Sequence, residues 1–187
     1  MAFEDYLSAG AHIGMRQQTK DMHRFIYKIR DDGLAVLNVQ LIDQRLTLAA
    51  KFLSRFDKIM VVSRKTIGQL PVIKFAETIG AKAVTGRFLP GIITNPSFKE
   101  YYEPDVVLVT DALADKQAIQ EAAKMRIPIV AFCDTFNETS LIDFVIPANN
   151  RGRKSLALLY FLLAKKILNI RGLPEDKLKQ EDFESKE

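Results

Sequence analysis

The sequence predicts an α/β fold, a mostly parallel sheet with helices on both faces and a hairpin ahead of it. Three observations carry that expectation. The runs Ile59-Met60-Val61-Val62, Val106-Val107-Leu108-Val109 and Ile129-Val130-Ala131-Phe132 are apolar throughout, as strands are when helices cover both faces of a sheet. Segments of helical period lie between them, and alternating strands and helices imply right-handed crossovers. The chain of 187 residues suits one domain with a substantial core.

The elements follow in order. Residues 2–9 suit a short helix, and the polar, basic stretch from Gly10 to Asp21 has no periodicity. Phe25–Arg30 and Leu34–Val39 flank Asp31-Asp32-Gly33, an acidic turn ending in glycine that reads as a hairpin. Ile42, Leu46, Ala49, Leu53 and Phe56 recur at steps of four and three, which places a helix over about 40–56. A strand at 58–63 follows. Pro71 suits the first turn of the next helix, where its missing N–H does no harm, and Gly80 ends that helix. Residues 82–85 form a short strand. Residues 86–104 are the longest connection, and a connection of that length is often functional. A strand at 105–110, a helix at 115–125, strands at 128–133 and 143–146 and a long helix from Gly152 to about Ile170 complete the domain. Gly172 and Pro174 close that helix.

Charge and composition narrow the function. The net charge is +4, but the segment from Pro174 to Glu187 holds six acids and three bases, net −3, so residues 1–173 carry +7. The expected organisation is a single α/β domain over 1–173 and a charged, mobile tail over 174–187. A basic body attracts polyanions. No stretch approaches the roughly 18 apolar residues of a membrane span. The first residues carry acids where a secretory leader carries cations. Cys133 is the only cysteine, which fits a reducing cytosol and permits no internal disulfide.

In parallel sheets, ligands meet the loops that follow the carboxyl ends of the strands. Here those loops begin at Ser63-Arg64-Lys65, Gly86-Arg87, Thr110-Asp111, Cys133-Asp134-Thr135 and Pro147–Arg151. A nucleotide enzyme needs a glycine-rich turn, and neither GxGxxG after a strand nor GxxxxGK[ST] occurs. Asp111 and Asp134 read as a paired carboxylate site or, more simply, as caps and Asx turns. His12 and His23 lack the further ligands of a zinc site. Cys133 reads as a small core residue. Arg16, Lys20, Arg24, Lys28 and Arg30 cluster against the single acid Asp21, with Phe25 and Tyr27 among them. The cations suit phosphates, and the two aromatics read as one strand face turned inward. Asn149-Asn150-Arg151-Gly152-Arg153-Lys154 opens a helix, and reads equally as an anion site or as an Asn cap with solvated charges.

Taken together, several segments resemble one family. Tyr6-Leu7-Ser8-Ala9-Gly10-Ala11-His12-Ile13-Gly14 is similar to the N-terminal signature of the universal ribosomal small-subunit protein two family. Gly86–Asn95, Pro104–Asp111, Ile127–Thr135 and Asp143–Asn150 resemble its later motifs, in the family's order. Ala148 stands where the family usually has Gly, and Met125-Arg126 where it has an apolar-Gly pair. After Asn95 there is no room for the helical hairpin that bacterial relatives insert, and the long tail of the eukaryotic laminin-receptor relatives is missing, so the archaeal branch matches best. The resemblance implies a Rossmann-like (flavodoxin-like) sheet without a coiled-coil insertion, cytoplasmic and ribosomal. Its implied partners are 16S ribosomal RNA and other small-subunit ribosomal proteins, with no cofactor, no small-molecule substrate and no reaction. Arg16, Lys20, Arg24, Arg64, Lys65, Arg87, Arg151, Arg153 and Lys154 are then expected to meet phosphates. His12, Gln18, Asn95, Asn149 and Asn150 are expected to make polar contacts to sugar, base or phosphate. The rival readings are a sugar-phosphate or nucleotide enzyme using Asp111 and Asp134, and a protein-docking module with the acidic tail as its arm.

Overall fold

The computed structural model describes residues 3–174 and 178–184. Five parallel strands form its central sheet: β3 (Ile59–Ser63), β4 (Lys82–Thr85), β5 (Val106–Val109), β6 (Ile129–Cys133) and β7 (Phe144–Pro147), side by side as β4-β3-β5-β6-β7. Counted within the sheet, that order is 2-1-3-4-5, the flavodoxin-like arrangement. β3, β5 and β6 are buried along their whole length, which is why they read as unbroken apolar runs. An antiparallel pair, β1 (Ile26–Ile29) and β2 (Ala35–Leu37), stands apart as the hairpin, with Ile26 opposite Leu37 and Ile29 opposite Ala35. A short helix, α1 (Phe3–Ser8), precedes it.

Helix α3 (Thr66–Ile79) carries the chain from β3 to β4 at one edge, and α4 (Lys116–Lys124) carries it from β5 to β6 in the opposite direction. Right-handed crossovers therefore place the two helices on opposite faces. Helix α5 (Arg153–Arg171) packs between α3 and α2 (Val39–Leu53). Its run from Ser155 to Ala164 is buried on every side, as expected for a helix with neighbours all round. Tyr160 lies at its centre, edge-on to Phe75 and Phe132 with centroids 5.4 and 5.1 Å away, and its hydroxyl meets Thr110 Oγ1 at 2.7 Å. No helix among the described residues is long and apolar enough to cross a membrane.

Three local features differ from the sequence reading or add to it. Helix α3 starts at Thr66, so Pro71 is its sixth residue rather than part of its first turn. Only Arg64 and Lys65 separate the helix from β3, and Ile67 O goes without the N–H that residue 71 would have supplied. Phe25 and Tyr27 do not share an inward face. Phe25 is buried in a 3-10 turn (His23–Phe25) ahead of the strand, whereas Tyr27 is 70% exposed on β1. In the acidic tail, residues 178–184 lie against the domain. A 3-10 turn (Gln180–Phe183) buries Phe183 edge-on to Phe161, centroids 5.9 Å apart. The mobility expected of 174–187 also bears on residues 175–177 and 185–187, which lie outside the described residues.

Candidate nucleic-acid interface

A buried polar network holds the carboxyl ends of the central strands. Lys65, just past β3, places Nζ 2.5 Å from Asp111 Oδ2 beyond β5, and donates to Asn150 O (3.1 Å) and Oδ1 (3.2 Å) beyond β7. Asn137 donates to Asp111 Oδ1 at 2.9 Å and accepts from Asn150 Nδ2 at 3.1 Å and from the Asp134 N–H at 2.8 Å. Asp111, Asp134, Asn137 and Asn150 are all 2% exposed or less. Buried polar groups survive only when partnered, and each of these is.

This network fills the crevice between β3 and β5, where the strand order reverses and such folds bind nucleotides. A side chain at Gly68 would run into Ser63 Oγ, so α3 begins hard against the strand ends. The two carboxylates of the enzyme reading are spoken for. Asp111 is ion-paired and accepts the Leu113 N–H at 3.0 Å, and Asp134 accepts the Thr135 N–H at 2.7 Å. Burial pushes the Asp134 carboxyl upward against the pull of that N–H. Asp115 is pushed up to about 6, by burial first, although it accepts the N–H of Arg64 at 2.7 Å. Cys133 is fully buried, and burial together with the charges of Asp111 and Asp134 pushes its thiol up, away from any nucleophilic role.

Against this platform lies the N-terminal segment. Thr135 Oγ1 accepts the Met15 N–H (2.9 Å) and donates to Gln17 O (3.1 Å), while Thr19 N–H donates to Thr135 O (2.9 Å) and its hydroxyl to Asn137 O (2.9 Å). Asn149 holds the same segment from β7. Its Nδ2 donates to Gly10 O at 3.0 Å and its N–H to Ala11 O at 3.0 Å. The aperiodic stretch is thus ordered by contacts more than a hundred residues away in sequence.

Eleven of the fourteen expected binding residues divide into an exposed group and an inward-turned one. Arg16, Lys20, Arg24, Arg64, Arg87, Arg151, Arg153 and Lys154 are exposed. Arg64 and Arg87 follow β3 and β4, the last three follow β7, and the Thr135 and Asn149 contacts bring Arg16 and Lys20 to the same edge of the sheet. Arg24 sits over the Phe25 ring at 4.8 Å, and Arg151 over Phe136 at 4.4 Å. Lys65, Asn149 and Asn150 turn inward. Asn149 Oδ1 accepts the N–H groups of Arg151 (2.9 Å) and Gly152 (3.2 Å), so it closes the turn into α5. Gln18 is half-buried in the pinned segment. Asn95 lies apart from this edge: its Oδ1 accepts the Ser97 N–H at 3.1 Å, and its loop is tied to α4 where buried Glu121 accepts the Gly91 N–H at 2.9 Å. That loop consists of turns, with no helical hairpin. His12 opens onto a groove beside the hairpin, and its Nδ1 is buried with no partner among the described residues.

The sequence reading missed Thr135 as an anchor, Asn137 as a hub and Glu121 as a buried loop clamp. Thr135 closes the Ile127–Thr135 motif but gives no sign of its partners, and Asn137 and Glu121 are single polar residues outside any motif. Gly14 offers a direct test of the anchor. A Cβ there would stand 2.5 Å from Thr135 Cγ2 and 3.1 Å from Ala35 O. Gly14→Ala should therefore cost about 1–3 kcal/mol and speed amide exchange at Met15 and Thr19. Unchanged exchange at those two amides, measured by NMR, would show that the segment is not held there.

Comparison with known proteins adds an independent line. A family profile described as Ribosomal protein S2 matches residues 6–102 and 97–169. Its two stretches meet in the loop that lacks the helical hairpin. A protein of Staphylothermus marinus is 58% identical over 172 residues, covering 91% of this chain and 78% of that protein. One from Methanoregula boonei is 50% identical over 184 residues, covering 97% and 90%. One from Ignicoccus hospitalis is 57% identical over 181 residues, covering 92% and 85%. All three are named small ribosomal subunit protein uS2.

Proposed function

The chain belongs to the ribosomal protein S2 family, and from that premise we propose that it is a structural constituent of the small ribosomal subunit, binding 16S ribosomal RNA and neighbouring ribosomal proteins in the cytoplasm. Its part is structural rather than catalytic. The observation that supports RNA binding most is the row of exposed cations along one edge of the sheet, mounted on a fully partnered polar network. Arg16, Lys20, Arg24, Arg64, Arg87, Arg151, Arg153 and Lys154 neutralise phosphates. Gln18 and Asn95 make polar contacts at the margins. Lys65, Asn149 and Asn150 act one step back, by fixing where the cations stand.

Stiff mounting matters because a backbone fixed in advance loses less freedom on binding. The absence of a Gly-rich phosphate cradle fits the same reading, since a duplex or loop of RNA meets a broad charged edge rather than a pocket. The test is sedimentation. The protein should travel with small subunits at low salt and leave them as monovalent salt rises. Failure to co-sediment at low salt would overturn the reading.

A further inference from the structure

We propose that the hollow between α4 and the β6–β7 loop receives a single base turned out of the bound RNA and stacked against Phe136. The proposal rests on the RNA reading above and adds to it a pocket and the chemical class of its ligand.

The hollow opens beyond the carboxyl ends of β5 and β6 and has a volume of about 320 Å³. Small-ligand pockets run from roughly 300 to 1,000 Å³, so this one suits a nucleoside rather than a longer segment. Its large apolar lining residues are Leu113, Ile119, Phe136 and Leu141. Phe136 is half-buried, whereas Leu113 and Leu141 stand 64% and 59% exposed. Leu141 is held at φ +66°, in the left-handed region that leucine seldom enters. Such strain persists where the surroundings over-determine it, as at ligand clamps. The rest of the lining is polar. Gln120, Glu138 and Ser140 are exposed, and their side chains hold no hydrogen bond or ion pair among the described residues.

Continuity with the basic edge selects the occupant. Arg151 lies over the Phe136 ring at 4.4 Å without itself lining the hollow. The nucleotide whose phosphate meets Arg151 therefore has its base within reach of the ring. Two further cations border the hollow. Lys116 is part of its lining and follows Asp115, which accepts the Arg64 N–H at 2.7 Å. Lys20 lies between Thr19, whose hydroxyl donates to Asn137 O at 2.9 Å, and Asp21, which accepts from the Thr139 hydroxyl at 2.8 Å. Proteins that read RNA do so largely at unpaired bases, which stack on aromatic rings and guanidinium planes. A base also matches the mixed lining. Its faces are apolar, its pairing edge offers donors and acceptors to Gln120 and Ser140, and an N–H on that edge can donate to the Glu138 carboxylate. An apolar side chain from a protein neighbour would leave those three groups dry and unpaired. A basic one would meet Lys116 and Arg151, and an acidic one Glu138.

The sequence has no tryptophan, so Phe136→Trp places a single indole in the hollow. A stacked base quenches indole emission, and saturating 16S RNA should remove most of it. Leu48→Trp, at an exposed position of α2, is the control and should keep its emission. Unchanged emission from Phe136→Trp at saturation, equal quenching of the two variants, or quenching that appears only in complete subunits, where a protein neighbour fills the hollow, would each overturn the proposal. Removing the ring gives a second measurement. Phe136→Leu should weaken 16S RNA binding about tenfold, as the loss of one stacked base does, with the salt slope unchanged, and Phe136→Tyr should keep the parent affinity. A slope lowered by roughly 0.7–0.9 would mean that Phe136 serves only as the mount of Arg151, and full affinity in Phe136→Leu would leave the hollow without a ligand; either result overturns the proposal. If the unaltered chain fails to bind 16S RNA at low salt, the RNA reading itself falls, so the two failures are distinguishable.

Discussion

Replacing Arg151, Arg153 and Lys154 together by alanine should weaken binding to 16S RNA by one to two orders of magnitude at moderate salt. Each phosphate contact contributes roughly 0.7–0.9 to the slope of log K against log salt, so three lost contacts should flatten that slope by about 2–3. All three side chains are exposed, so folding should be little affected, apart from the stacking of Arg151 on Phe136. The location adds to the effect. These cations flank the start of α5, whose N-cap Gly152 has no side chain to accept from the first turn, and that end of a 19-residue helix favours anions. A control removes the same charge from elsewhere. Arg55, Lys58 and Lys124 are exposed and lie towards the amino ends of the strands. Their triple alanine variant should change the slope less. Equal slopes in the two variants would mean that bulk charge, not this loop, governs binding.

Lys65→Met should have the largest effect on stability. It leaves Asp111, 2% exposed, without its cation, and deprives Asn150 of a donor. Removing one partner of a buried ion pair costs about 3–5 kcal/mol. In a domain of this size that corresponds to a fall in Tm on the order of 10 °C. Calorimetry should find the double variant Lys65→Met, Asp111→Asn less destabilised than the single, since the stranded charge is gone. A single variant melting within about 1 kcal/mol of the parent would show that the pair does not sustain the strand ends. The same variant separates two roles for Lys65. A phosphate ligand would lower the RNA salt slope by roughly 0.7–0.9 when removed, whereas a residue that acts through Asp111 should leave the slope of the folded fraction unchanged.

The sheet was legible because burial on both faces writes itself into sequence as unbroken apolar runs, and because glycines at positions 80 and 172 stop helices in the left-handed conformation. The start of α3 was not, since Pro71 points to a first turn that tertiary packing places earlier. Arg64, Arg87 and Arg151 could be named from the strand-end rule, and Arg16, Lys20 and Arg24 from the run of bases against Asp21. Their supports could not. Lys65 has the composition of a phosphate ligand, and only the spatial meeting of residues 65, 111, 137 and 150 turns it inward. Tyr27 failed for a related reason: a two-stranded hairpin has a free face, and alternation cannot say whether anything covers it.

The pinning of the N-terminal segment also fixes an order of events during synthesis. Met15 bonds to a residue 120 positions later, and Gly10 to one 139 positions later. At about 5–20 residues per second, the partners of Met15 emerge roughly 6–24 s after it does. The earliest cations of the chain thus spend that interval without their anchor and settle only once β6 and its following loop exist. Contacts of such long range slow folding, because loop closure must come before any reward. The segment made nearly first is placed nearly last, and the basic edge reaches its final shape only when the domain is almost complete.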